Sequence, residues 1–302
     1  MHRQLEAAAR CATFALLLLA MISPAYAVDG VTEINQVRAA AGGVTPGDTP
    51  GFPVTLDHAG SYRLTGNLIV SDPNTTAITV TVGNVTIDLN GFEIACNTNP
   101  EPCGSGGGTG IQADQDNVTV MNGTVRDMGS DGINIGTHAR VERVRMLGNH
   151  HNGVGARSGS MLINNIANNN GYDGLGAGIG TTVIGNTTRN NGRGGMELNT
   201  SCTVSQNTAN DNVVFGIYCN GGCTIDRNTL NNNGTGVSML GGNTVIGNTA
   251  QNNTNFALVA IGDDTGYTGN TFTGNNGGGN AAQVSGGTPL GSNFCGTDTT
   301  CP

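Results

Sequence analysis

From Val120 to Tyr267 the chain repeats one short pattern about every 21 residues. Val120, Val141, Leu162, Val183, Val204, Ile225, Val245 and Tyr267 form one apolar column; Ile133, Val154, Leu175, Met196, Ile217, Val237 and Leu258 form a second. A third column is purely asparagine: Asn149, Asn170, Asn191, Asn212, Asn233, Asn253 and Asn275. Fixed-period self-similarity of this length marks a solenoid, because one coil cannot bury its apolar face alone and stacks on the next.

Within a period, apolar and polar residues alternate, as around Met196 and Leu198 or Ile217 and Cys219. A period of two means strand. Asn-Gly and Gly-Gly clusters between these runs tolerate the left-handed backbone of sharp corners. Three strands and three corners per coil predict a parallel β-helix. Its stacked asparagines would hydrogen-bond amide to amide along the axis. No coil supplies the Leu-x-x-Leu-x-Leu of leucine-rich repeats or the Gly-Gly-x-Gly-x-Asp of calcium β-rolls.

Residues 1–27 read as a secretory signal, with Arg3 and Arg10, an apolar run from Ala12 to Ile22 and the small-x-small site Ala25-Tyr26-Ala27. That run is too short to span a bilayer, and no later stretch reaches the length of a membrane helix. Loss of Arg3, Arg10 and Glu6 takes the formal charge from −9 to −10. An acidic chain with few clustered basic residues argues against nucleic acid or an anionic membrane as partner. The expected product is a soluble, monomeric protein, secreted or periplasmic.

Residues 28–52 read as an N-terminal cap and lead-in loop. Thr32 to Ala40 is predicted helical, with Ile34 and Val37 on one face and a Gly42-Gly43 stop. The β-helix is predicted over 53–287, with an insertion near 96–108 and about nine coils. At roughly 4.8 Å per coil these make a rod about 40 Å long. Residues 288–302 read as an irregular C-terminal tail anchored by Leu290 and Phe294.

Of eight cysteines, Cys11 lies in the leader and seven remain. Export permits disulfides. Cys96–Cys103 would pin the inserted loop and Cys295–Cys301 the tail. Cys202 and Cys223 stack in neighbouring coils about 5 Å apart, inside the disulfide range, which leaves Cys219 as a buried thiol. A Cys219–Cys223 bridge across the corner is the rival pairing.

Folding the chain at its period places His151, Tyr172 and Arg193 on one edge, with Asp131, Asn152 and Asp173 in the adjacent column and Arg189 near in sequence. Abstracting a proton α to a uronate carboxylate needs a base and a cation to stabilise the anion that forms. Arg193 could pair a substrate carboxylate bidentately, with His151 or Tyr172 as base or acid. Asp131 and Asp173 could orient them or hold Ca²⁺, and no cofactor is required. The alternative is that these are ordinary solvated corner residues.

The chain resembles the right-handed parallel β-helix proteins of the pectate-lyase-like superfamily. The resemblance rests on Asn84-Val85-Thr86-Ile87-Asp88-Leu89-Asn90-Gly91-Phe92-Glu93-Ile94 and the repeated Asn-Thr-x-x-Asn-Asn starting at Asn186, Asn207, Asn228 and Asn248. It is also similar to exported bacterial proteins that share the Gly42 to Asp48 segment and the Cys295/Cys301 tail. It implies an all-β, single-stranded, right-handed solenoid, in a superfamily where many members cleave or modify polysaccharides. Of the polygalacturonase motifs only an isolated Asp263-Asp264 is present, and the alginate epimerase motif Asp-Pro-His-Asp is absent. Two functions are expected: lyase- or epimerase-like action on an acidic polysaccharide, or a non-catalytic glycan- or protein-binding module.

Overall fold

The computed structural model describes residues 30–98, 101–262, 264–279 and 281–297. The predicted signal at 1–27, Asp263 and Cys301 lie outside the described residues. All coils belong to the compact unit Thr32–Pro302.

The alternating runs form parallel strands in two sheets. One sheet of 11 strands takes one strand from each coil, from Val54–Leu56 to Val284–Ser285. The other, of 20 strands, takes two from a typical coil, such as Thr182–Ile184 and Thr187–Arg189. Register follows the sequence period: Val154 pairs with Leu175, Leu175 with Met196, and Val183 with Val204. Both predicted apolar columns point inward; Leu162, Leu175, Met196 and Ile225 are fully buried. Complete burial of such a side chain contributes about 1.5–3 kcal/mol.

About eleven coils are present among the described residues, against about nine expected. The additional coils are irregular in length: Val54 pairs with Ile78, Ile78 with Ile111, and Leu258 with Val284, all at spacings longer than the repeat. The N-terminal cap also differs from expectation. Thr32–Ile34 is a strand paired with Tyr62–Leu64, and the helix is only Gln36–Ala41, capped by the Asn35 side chain on Arg38 N–H. Ile34 is therefore buried by strand pairing, while Val37 is exposed and Ala39 faces the core. The Leu290 and Phe294 side chains are largely exposed, and these residues hold the tail through backbone hydrogen bonds, Leu290 N–H to Tyr267 O at 2.9 Å and Phe294 N–H to Asn270 O at 2.8 Å. The tail is held by strand pairing of Thr288–Pro289 and by Asn293, whose side-chain oxygen accepts from Asn270 Nδ2 at 3.0 Å.

Asn293 ends a second asparagine ladder, Asn165, Asn186, Asn207, Asn228, Asn248 and Asn270, parallel to the one starting at Asn149. In both, each Nδ2 before the last member donates to the Oδ1 one coil up and to a backbone carbonyl one coil down, as Asn191 does with Asn212 and Ala167, and Gln283 Oε1 takes the place of the next asparagine above Asn275. Buried corners thus keep their backbone groups satisfied. The same crowding demands glycine beside the ladder. A Cβ on Gly174 would lie 2.8 Å from Gly195 O and 2.9 Å from Asn191 Nδ2.

Cys96–Cys103 is bridged as expected. Cys202–Cys223 is not: the bridge is Cys219–Cys223, and Cys202 is a buried free thiol. Residues stacked in register carry parallel Cα–Cβ vectors, whereas a disulfide needs converging ones. The Gly221-Gly222 corner, with positive φ at both glycines, turns Cys219 and Cys223 toward each other. Cys295 is disulfide-bonded.

Candidate functional site

The corner leading into the 11-strand sheet carries the predicted patch. Two residues past the ladder asparagines Asn149, Asn170 and Asn191 stand His151, Tyr172 and Arg193. Their backbones are laddered, with Tyr172 N–H on His151 O (3.0 Å) and Arg193 N–H on Tyr172 O (2.8 Å). Fixed in register, their side chains stack. The His151 and Tyr172 rings are 5.0 Å apart and 12° from parallel. The Arg193 guanidinium lies 4.3 Å from the Tyr172 ring centre and 5.2 Å from that of Phe215. His151, Tyr172 and Arg193 therefore share one edge, as counting at the period places them.

His151 Nδ1 is 2.7 Å from Asp131 Oδ1, and Asn152 Nδ2 lies 3.1 Å from the same nitrogen. The shorter, charge-assisted contact selects the tautomer with hydrogen on Nδ1, which leaves the Nε2 lone pair outward. Asp131 is fixed in turn by Asn152 N–H at 2.9 Å and by Asn134 Nδ2 at 3.4 Å. The His151 side chain is half exposed, its carboxylate partner only 11%. This is the geometry of an oriented general base.

Arg193 Nη1 donates to the Tyr172 hydroxyl oxygen, so the hydroxyl hydrogen remains available to another acceptor. Arg193 Nη2 pairs with Glu197, and Nε lies 3.3 Å from Asp173 Oδ1 without completing a hydrogen bond. Asp173 is 1% exposed, and burial pushes its carboxyl up to about 7. The Arg193 charge opposes that rise, and the neighbouring Glu197 carboxylate adds to it through its like charge. A substrate carboxylate would have to displace Glu197 to clamp Arg193 bidentately.

Arg189 does not join the patch. It lies on the 20-strand sheet and pairs with Asp211 through Nε at 2.8 Å. Between Asp131 and Asp173 stands Asn152, whose N–H donates to Asp131 Oδ1 and whose Oδ1 accepts from Asp173 N–H. Among the described residues no group of three His, Cys, Asp or Glu is placed to hold a metal.

The inserted loop reaches this edge. Cys103 O lies 2.9 Å from His150 Nε2, and Gly106 N–H donates to Gly129 O at 2.8 Å. Beside the patch, the outward positions of the sheet are Asn134, Gly155, Gly176, Glu197 and Tyr218 in successive coils. The two glycines leave bare backbone, with nothing within 4 Å of where a Gly155 Cβ would stand. Glu197 and Phe215 were not identified from sequence. Extending the column count to the outward strand positions would have found Glu197, four residues after Arg193.

The family model described as "Right handed beta helix region" matches residues 131–277. No curated protein matches the chain. Among solved structures, the periplasmic alginate epimerase AlgG is similar over 80% of this chain and 76% of its own, at 14% identity and TM-score 0.58. The A-module of mannuronan C-5 epimerase AlgE4 from Azotobacter vinelandii aligns over 82% of this chain and 84% of its own, at 12% identity and TM-score 0.51. The AlgE6 A-module from the same organism aligns over 81% and 87%, at 14% identity and TM-score 0.50. At these identities the likeness is one of fold.

Proposed function

We propose that this right-handed parallel β-helix protein acts on an acidic polysaccharide, removing the proton α to a uronate carboxylate as a lyase or epimerase does. The observation that carries the reading is the His151–Asp131 pair stacked against an Arg193-held Tyr172 hydroxyl. In the proposed reaction His151 Nε2 takes the proton and Tyr172 Oη supplies one, to the leaving oxygen in elimination or to the ring carbon in epimerisation. Arg193 stabilises the enolate-like anion after the substrate carboxylate takes the place of Glu197. The fold shared with structures described as alginate epimerases supports the substrate class.

The described disulfides support a compartment outside the cytoplasm. No described helix is long and apolar enough to cross a membrane. The half-exposed His151 and the exposed Tyr172 side chains also offer a glycan contact without chemistry, which favours a glycan-binding module as the second reading.

The test incubates the purified protein with pectate, alginate and other uronate polymers, with and without Ca²⁺. Ultraviolet absorbance follows unsaturated uronides, and proton NMR follows epimer composition. Turnover lost in His151→Ala and Arg193→Ala supports the reading. No turnover on any polymer, with glycan binding that survives both substitutions, replaces it with the binding module.

A further inference from the structure

At the far end of the strands that carry the patch, a cavity of about 200 Å³ is lined by Gly176, Ala177, Glu197, Leu198, Asn199 and Asn220. It opens on the same outward face, because Glu197 both lines it and reaches back to Arg193. Pockets for drug-sized ligands run to about 300–1,000 Å³, so this one suits a single ring. Its floor is the bare peptide of Gly176, continued one coil below by Gly155. Tyr218 donates to Asn220 Oδ1 at 2.9 Å, and Thr200 N–H donates to Asn199 Oδ1 at 2.9 Å. Both amides are thereby oriented, and neither Nδ2 has a hydrogen-bond partner among the described residues.

We propose that this cavity is a sugar subsite that holds a further pyranose unit of a chain seated at His151 and Tyr172. The proposal rests on the reading of the patch as a place where a uronate unit sits. Two amide donors and the Glu197 carboxylate match the alternating acceptors and donors of a pyranose hydroxyl edge. The carboxylate disfavours a second anionic group against it, so the unit enters with its hydroxyls facing the protein. Occupying both places requires a chain, and a monosaccharide fills only one.

The test measures binding of uronate oligomers of one to four units, and of neutral oligomers of the same lengths, by calorimetry. The proteins are wild type, Gly176→Met, and Asn199→Ala with Asn220→Ala. Gly176 has ordinary backbone geometry and its Cβ would stand 3.6 Å from the nearest atom, so methionine enters the cavity without straining the strand. The second variant empties the cavity of its donors and guards against misfolding of the first. Affinity that rises with chain length in wild type and falls at least tenfold in both variants supports the subsite. Affinity independent of length, or unchanged in either variant, overturns it, as does the absence of binding by every oligomer. Turnover of uronates that ignores both variants leaves the reading of the patch standing and removes the subsite. Binding sensitive to both variants without turnover, or with neutral oligomers alone, keeps the subsite and removes the uronate chemistry.

Discussion

His151 and Tyr172 occupy the same position in successive coils and lie ring on ring, 5.0 Å between centres. The stack separates two roles for Tyr172, one in its ring and one in its hydroxyl. Tyr172→Phe keeps the ring and removes the group that meets Arg193. Turnover of uronate polymer should fall by about 10²-fold or more with KM little changed, the usual size of an acid–base contribution. Tyr172→Ala should raise KM as well, since the ring that seats both His151 and Arg193 is lost. Steady-state kinetics on the two variants separates these outcomes.

Asp131 acts through His151 and is a positioning residue. Asp131→Asn removes the negative charge that selects the His151 tautomer while preserving shape. A fall in kcat of about 10-fold or more with KM unchanged is expected. Recovery of kcat in Asp131→Glu would separate this role from a structural one.

Asp173 makes stability depend on pH in an unusual direction. Its carboxyl is raised from 3.8 to about 7, mainly by burial, so between those values the folded state binds more protons than the unfolded. Stability from this group is greatest at the acid end and is lost as pH rises through the window. Asp173→Asn has no such dependence. The Tm of the variant relative to wild type should therefore climb from about pH 4 to pH 7 by thermal denaturation. A difference that stays constant or falls would contradict the assignment.

The ladder asparagines should be far less replaceable than the corner residues beside them. Asn191 is fully buried, and its Oδ1 accepts from both the backbone N–H and Nδ2 of Asn170. Asn191→Ala strands those donors, at about 1–3 kcal/mol for each unsatisfied group. Adjacent Asn190 is exposed, with φ at +53°, and its replacement by alanine should cost only the left-handed backbone penalty of about 1–2 kcal/mol. Urea denaturation of the two variants gives the comparison directly.

Cys202 should be chemically silent in the folded protein. It is 2% exposed, and burial pushes its thiol up. Maleimide without reductant should label the peptide that contains Cys202 only after denaturation. Labelling of Cys219 instead, mapped by mass spectrometry, would contradict the Cys219–Cys223 pairing.

The regular coils were legible because every stacked pair is separated by nearly the same number of residues. Leu175 over Val154 and Asn191 over Asn170 follow from counting alone. The number of coils was not, since the insertion between Ile78 and Ile111 breaks the count, although its place near 96–108 was legible. The cap at Thr32–Ile34 has a pattern short enough for helix or strand. Pairing with Tyr62–Leu64 decided it.

The sequence by itself determined the solenoid, its register and the shared edge of His151, Tyr172 and Arg193, because a fixed period converts sequence distance into spatial contact. The tertiary structure decided everything that depends on side-chain direction at a corner. It turned Cys219 rather than Cys202 toward Cys223, sent Arg189 around the corner to Asp211, and closed Arg193 between Glu197 and Asp173. Stacking fixes where each Cα stands. The corner backbone and the side-chain torsions, set by neighbours from other coils, fix what each residue can reach.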